Sequence, residues 1–282
     1  MAHTRELFTP VNDGLFIPEV GSWAEIKYKI VSLYETMFSS GMKTKWGKRV
    51  YVDLYSGAGY CRIRDSNRLL AGSPILALTV PTPFDKYIFC EEDPVCLSAL
   101  KQRVKTIAPE ADVTYISGDC NERIDDICSE IPQHSPGNTV LSFCFVDPFD
   151  IGIRFTTIQR LAERYIDFLI LLAVQMDAGR NYAHYIEEGS PKVDNFLGNR
   201  DWRAGWARTF PRPGFPEFLA TEYARQMESL DYKATPLYLM KRVRSDEKNL
   251  PLYYLSLFSR HELAYKFWDD VLKYETEQQR LF

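Results

Sequence analysis

The sequence predicts an α/β protein: a mostly parallel sheet with helices on both faces. Three observations carry this. Apolar runs of strand length alternate five times with segments of helical periodicity between about residues 49 and 174. Each run ends in a polar, small-residue turn. Beyond residue 175 the alternation stops, and a mixed aromatic stretch leads to a final pair of strand-like runs. At 282 residues, 45% of them hydrophobic and 14% aromatic, the chain can bury a sizeable core. It reads as one domain: an N-terminal arm and helix over 1–48, a core over 49–174, a helical and aromatic cap over 175–235, and a hairpin with a terminal helix over 236–282.

In order, residues 1–20 carry Pro10, Gly14 and Pro18 and form an irregular arm over the core. Ser22 caps a helix from Trp23 to about Ser39, with Ile26, Ile30, Leu33, Tyr34 and Met37 inward and Gly41 ending it. Val50, Val52 and Leu54 make a buried parallel strand. It ends at Asp53 and breaks into Ser56-Gly57-Ala58-Gly59. In place of an immediate helix comes the polar, basic stretch Tyr60–Ala71, either a lid or a surface insertion. Ser73 and Pro74 then start a short helix to about Val80. Strands follow at 87–90, 113–117, 139–146 and 167–174. Helices lie between them, at about 95–107, 122–131 and 155–165. The turns are Glu91-Glu92-Asp93-Pro94, Gly118-Asp119-Cys120-Asn121 and Asp147-Pro148-Phe149. Right-handed crossovers set all these turns along one sheet edge. Short helices within 175–216 cap the sheet, a helix spans 216–230, and 236–244 with 252–258 form an antiparallel hairpin. A last helix over 261–274 buries Leu263, Phe267, Val271 and Tyr274.

Composition narrows the function. A formal net charge of −4 argues against holding duplex nucleic acid by bulk electrostatics. The six cysteines form no CxxC pair, as expected of reduced, buried thiols in a cytoplasmic protein. No apolar stretch is long enough for a membrane span, and the N-terminus carries no signal-like region.

Five parallel strands followed by an antiparallel pair resemble the layout of class I S-adenosylmethionine (SAM) dependent methyltransferases, a Rossmann-like fold with a seven-stranded, mostly parallel sheet. That resemblance implies a role for each turn. The first, Asp53 to Gly59 with Ser56 and Gly57, holds the methionine end of SAM against backbone. Asp53 either fixes the loop through amides or binds the ligand's ammonium. Glu91, with Glu92 as rival, takes the ribose hydroxyls. Asp119, beside Cys120, reads the adenine. Ionised carboxylates only accept hydrogen bonds and so suit a diol or an amine. Their charge also suits a sulfonium and would repel a diphosphate. Asp147-Pro148-Phe149 is similar to the Asp/Asn-Pro-Pro-Tyr/Phe segment of amino-methyltransferases, with the second proline missing and the aromatic one position early. Asp147 is thus a candidate acceptor or base at the methyl-transfer point, without implying a nucleic-acid base as substrate.

A narrower resemblance rests on several segments in order. They are Tyr51-Val-Asp-Leu-Tyr-Ser-Gly-Ala-Gly, Gly72-Ser-Pro-Ile-Leu-Ala-Leu, Glu91-Glu-Asp-Pro, Phe145-Val-Asp-Pro-Phe, Arg180-Asn181, Phe196-Leu-Gly with Trp202, and Tyr253-Tyr-Leu-Ser-Leu-Phe-Ser-Arg-His with Trp268. Together they resemble the three-Cys-motif partner proteins. This implies a bacterial protein with a companion, a radical-SAM-type protein bearing the three-cysteine motif. It also makes Arg180 and Asn181 candidates to hold substrate or partner. Two other readings stand beside methyl transfer. One is a non-catalytic SAM-binding module that docks through the aromatic region 182–215, including Trp202 and Trp206. The other is a nucleic-acid N-methyltransferase using Arg62, Arg64 and Arg68, against which the acidic balance weighs.

Overall fold

The computed structural model describes residues 8–187, 189–245 and 249–279. The elements are, in order, β1 (Glu19–Val20), α1 (Ala24–Met42), β2 (Lys48–Asp53), β3 (Tyr60–Ile63), β4 (Leu69–Ala71), α2 (Ser73–Leu78), β5 (Lys86–Glu91) and α3 (Pro94–Ile107). Then come β6 (Val113–Ser117), α4 (Ile124–Glu130), β7 (Val140–Val146), α5 (Phe155–Ala162), β8 (Ile166–Leu172), α6 (Tyr182–Tyr185), α7 (Lys192–Leu197) and α8 (Trp202–Arg208). The chain closes with α9 (Phe215–Glu228), β9 (Lys241–Arg244), β10 (Pro251–Phe258) and α10 (Glu262–Gln279).

The main sheet has seven strands in the order β6-β5-β2-β7-β8-β10-β9. β2, β5, β6, β7 and β8 pair in parallel, and β10 runs antiparallel to both β8 and β9. The expected α/β, Rossmann-like sheet is therefore present, with its reversed strand next to the edge. Strand order switches direction at β2: the chain steps outward through β5 and β6, then returns to β7 on the other side. In such sheets the ligand crevice lies outside the carboxyl ends of the strands at that switch.

Alternation along each strand feeds two cores. In β7, Val140, Cys144 and Val146 face α4, α5, α7 and α9, whereas Leu141, Phe143 and Phe145 face α1, α2, α3 and α10. All six cysteines are free and buried, as expected. No helix among the described residues is long and apolar enough to cross a membrane.

Several local expectations need correction. Gly41 does not end α1, which runs on to Met42. A Cβ there would lie 2.5 Å from the Phe267 ring, so this glycine admits close packing of α10 instead of closing a helix. Ser22 gives α1 no side-chain cap. Tyr60–Ala71 is not an irregular loop: β3 and β4 form a hairpin, and β1 from the N-terminal arm adds a parallel strand beside β3. The helix after it starts from Gly72 as cap, with Ser73 already helical. Asn121, expected from its place in the turn after β6 to cap the helix that follows, does not cap α4. Its Oδ1 accepts from the Arg154 backbone N–H at 2.9 Å and the Thr157 hydroxyl at 2.8 Å, at the start of α5. Residues 236–240 hold a short 3-10 turn, so β9 is shorter than expected. In α10 the buried stripe is Ala264, Trp268 and Val271; Leu263 and Phe267 are only half-buried.

Candidate functional site

The turn after β2 is held by hydrogen bonds whose partners the sequence names. Asp53 is fully buried, and its carboxylate accepts from the Tyr55 N–H at 3.2 Å and the Tyr51 hydroxyl at 3.3 Å. Burial pushes its pKa up to about 7, while hydrogen bonds, that of Ser73 first, pull it back. Of the two roles expected for Asp53, this geometry supplies loop fixing. Ser56 donates through both N–H and hydroxyl to the Cys90 carbonyl, at 3.0 and 3.1 Å, and so ties the turn to β5.

The two glycines differ. Both have positive φ, +60° at Gly57 and +83° at Gly59. A Cβ on Gly59 would meet the Leu100 side chain at 2.9 Å, whereas one on Gly57 would meet nothing within 4 Å. Gly59 thus serves packing, and Gly57 lies under open space. Its N–H donates to Glu91 Oε2 at 2.6 Å. Glu91 Oε1 accepts from the Asp93 N–H at 2.9 Å. The carboxyl is half-buried; burial raises its pKa, and those backbone N–H groups oppose the rise. Glu92 is exposed. Asp93 caps α3 through the Val95 and Cys96 N–H groups.

The third turn adjoins the second, since the Gly118 N–H donates to the Glu91 carbonyl at 3.0 Å. Asp119 Oδ1 closes an Asx turn, accepting from the Asn121 N–H at 2.8 Å and its amide at 3.0 Å. Cys120 is buried, its thiol pushed up to about 12 by burial and hydrogen-bonded to Tyr55. Gly57, Glu91 and Asp119 therefore lie along one edge, on consecutive neighbouring strands.

Across the switch, Asp147 carries a feature that sequence reasoning missed. Lys27 of α1 places its Nζ 2.5 Å from Asp147 Oδ2, with both side chains about nine-tenths buried. The same ammonium lies 4.4 Å from the Tyr28 ring centroid. The signal was available: Lys27 sits on the stripe of Ile30, Val31, Tyr34 and Phe38, all of them buried. A lysine on an inward stripe needs a carboxylate. Pro148 is buried, while Phe149 beside it is 91% exposed.

Arg180 and Asn181 follow β8 at the same edge, but the Asn181 amide is spent on Asp177 Oδ1 at 2.7 Å. Asp177 also takes the Tyr185 hydroxyl at 2.8 Å and the Ile151 N–H at 3.0 Å, joining the loops after β7 and β8 to α6. Arg180 is exposed. Within the aromatic region 182–215, Phe210 is 93% exposed, whereas the two tryptophans named as contacts pack inward. Trp202 is 1% exposed and its indole N–H donates to Asp194 at 2.7 Å. Trp206 packs on Phe215 and Phe218. The loop arginines have local acceptors: Arg62 bonds Asn67, Arg64 pairs with Glu19 and Arg68 with Glu25.

No protein family matches the chain, and no curated protein does. Among solved structures it is similar to a Legionella pneumophila protein of the DUF519 family (12% identity, 86% of each chain, TM-score 0.48). It is also similar to Trm1 from Pyrococcus horikoshii with bound SAM (10% identity, 94% of this chain and 62% of that one, TM-score 0.46). A third is the O-methyltransferase TomG from Streptomyces achromogenes, also with SAM (11% identity, 80% and 79%, TM-score 0.44). Likeness at this level says nothing of chemistry, which rests on the residues themselves.

Proposed function

We propose that the chain binds SAM at this edge and transfers its methyl group to an acceptor brought beside Asp147. One observation carries the reading. The N–H of an unobstructed glycine turn is bonded to the carboxylate of the neighbouring strand, next to the point where strand order reverses. The residues fit the cofactor. Glu91 accepts backbone N–H groups at both oxygens and still has lone-pair capacity for a ribose hydroxyl. Asp119 commits Oδ1 to its own turn, which leaves Oδ2 for an adenine amine. Gly57 lets a ligand approach backbone. Bound SAM supplies an electrophilic methyl carbon on a cationic sulfur.

The chain's own part is alignment, which can account for most of the rate of an in-line displacement. Lys27 takes Asp147 Oδ2 and so fixes the direction of Oδ1, the oxygen that accepts a hydrogen bond from the acceptor's nucleophile. Phe149, exposed next to it, offers a face for a planar acceptor to stack on. The resemblance to three-Cys-motif partner proteins adds a companion to this proposal, a radical-SAM-type protein that would supply or receive the acceptor. Docking without catalysis is the second reading, and Phe149 and Phe210, 91% and 93% exposed, favour it as contact points in place of Trp202.

The test is calorimetric titration with SAM and S-adenosylhomocysteine, followed by labelled-methyl transfer into a lysate. Wild type should bind both, and Glu91→Gln should bind at least about tenfold more weakly. Equal binding by the variant would remove the site. Binding without any transfer, together with retention of the companion, would favour the docking module.

A further inference from the structure

The amino-terminal edge of the same sheet holds a cavity, independent of the methyl-transfer reading. It has a volume of about 320 Å³ and lies where β7 and β8 begin, between the 131–134 loop and Glu163–Tyr165. Its polar side chains present donors. Ser142 is completely buried, and its hydroxyl has no hydrogen-bond partner among the described residues. Arg164 Nε is likewise buried without a partner, while its other nitrogens bond Gln133 Oε1 at 2.8 Å and the Cys128 carbonyl at 3.4 Å. His134 accepts the Val140 N–H at Nδ1, 3.1 Å away, which assigns the ring proton to Nε2. The Gln133 carbonyl oxygen is occupied by Arg164, so its amide N–H₂ remains. The acid on the wall, Glu163, is ion-paired with Arg160.

Buried donors with nothing to bond are costly and rare. Two on one cavity wall, beside a histidine N–H and a guanidinium charge, describe a receptor for acceptor atoms. We propose that this cavity binds a small oxyanion, a phosphate ester or a carboxylate, through Ser142, Arg164 and His134. Liquid water takes about 30 Å³ per molecule, so the space exceeds a bare anionic group and admits an attached body. Val140, Ile131 and the Tyr165 ring, which packs 4.3 Å from His134 between centroids, supply the apolar wall for it.

The test uses the full chain and inorganic phosphate, at constant ionic strength against chloride, read by melting temperature and by calorimetry. Phosphate should raise the melting temperature saturably. Ser142→Ala should melt no lower than wild type without phosphate, because it deletes an unsatisfied group, and should bind phosphate about tenfold more weakly. Arg164→Gln should lose the response as well. An acetate arm separates the sources: stronger binding of phosphate marks a phosphate ester, stronger binding of acetate a carboxylate. A response no larger than that to chloride, a response unchanged in both variants, or marked destabilisation of Ser142→Ala in anion-free buffer would each overturn the proposal and leave a hydrated cavity.

Discussion

The two edges of the central sheet treat charge in opposite ways. At the carboxyl edge, acids sit on backbone N–H groups: Asp53 on Tyr55, Glu91 on Gly57 and Asp93, Asp119 on Asn121, Asp177 on Ile151. At the amino edge, arginines sit on carbonyls. Arg49 reaches the Ser39 and Pro83 carbonyls, and Arg260 reaches those of Ala162, Arg164 and Leu230. The cause is the architecture. Parallel strands feeding helices leave unpaired N–H groups at one edge, where helices start, and unpaired C=O groups at the other, where they end. Each sign of side chain collects where the backbone has the complementary group to spare. Lys27 is a cation buried against an acid at the acidic edge, and the cavity at the basic edge holds two buried donors, Ser142 Oγ and Arg164 Nε, without partners among the described residues. The functional proposals fall at these two places.

The comparison can be broken or sharpened by mutation. The largest effect belongs to Lys27→Met, which strands a buried carboxylate and should cost about 3–5 kcal/mol by urea denaturation. Adding Asp147→Asn should recover much of the loss. A cost under about 1 kcal/mol would make the pair an ordinary solvated bridge. Next come the glycines. Gly59→Ala combines left-handed backbone with overpacking and should cost about 3 kcal/mol, against about 1 kcal/mol for Gly57→Ala, which has strain alone. Equal costs would mean that both glycines serve packing. Arg260→Met should cost about 2 kcal/mol by leaving carbonyls of the amino edge unpaired, which the same denaturation series would measure.

A further effect is one of pH. Burial raises Asp53 and Asp167, one near each edge, to about 7. Unfolded, each releases its proton near 3.8. Between those values the folded chain binds more protons, so stability falls as pH rises from about 4 to about 7, then levels off. Asp167→Asn should flatten the decline in a melting series across that range. An unchanged slope would mean that Asp167 ionises at its ordinary value within the fold.

The parallel strands, their order of appearance and the acid-bearing turns were legible because period-two apolar runs and small-residue breaks are local signals. What escaped depends on pairing between distant segments. Tyr60–Ala71 reads as polar loop until Glu19–Val20 is brought beside it as a strand. Gly41 reads as a stop until the Phe267 ring is pressed against it. Trp202 reads as a contact aromatic until Asp194 takes its N–H. The Lys27–Asp147 pair spans 120 residues, and only the inward placement of a lysine hinted at it.

The N-terminal arm is clasped by Arg103, which binds Asp13 through two nitrogens and also reaches the Phe16 carbonyl and the Ala58 carbonyl inside the glycine turn. Val11, just upstream, is 72% exposed, while every native thiol is buried. A single Val11→Cys substitution would therefore accept a fluorophore with little background labelling. Whatever shifts the glycine turn would be read out optically from the far end of that clasp.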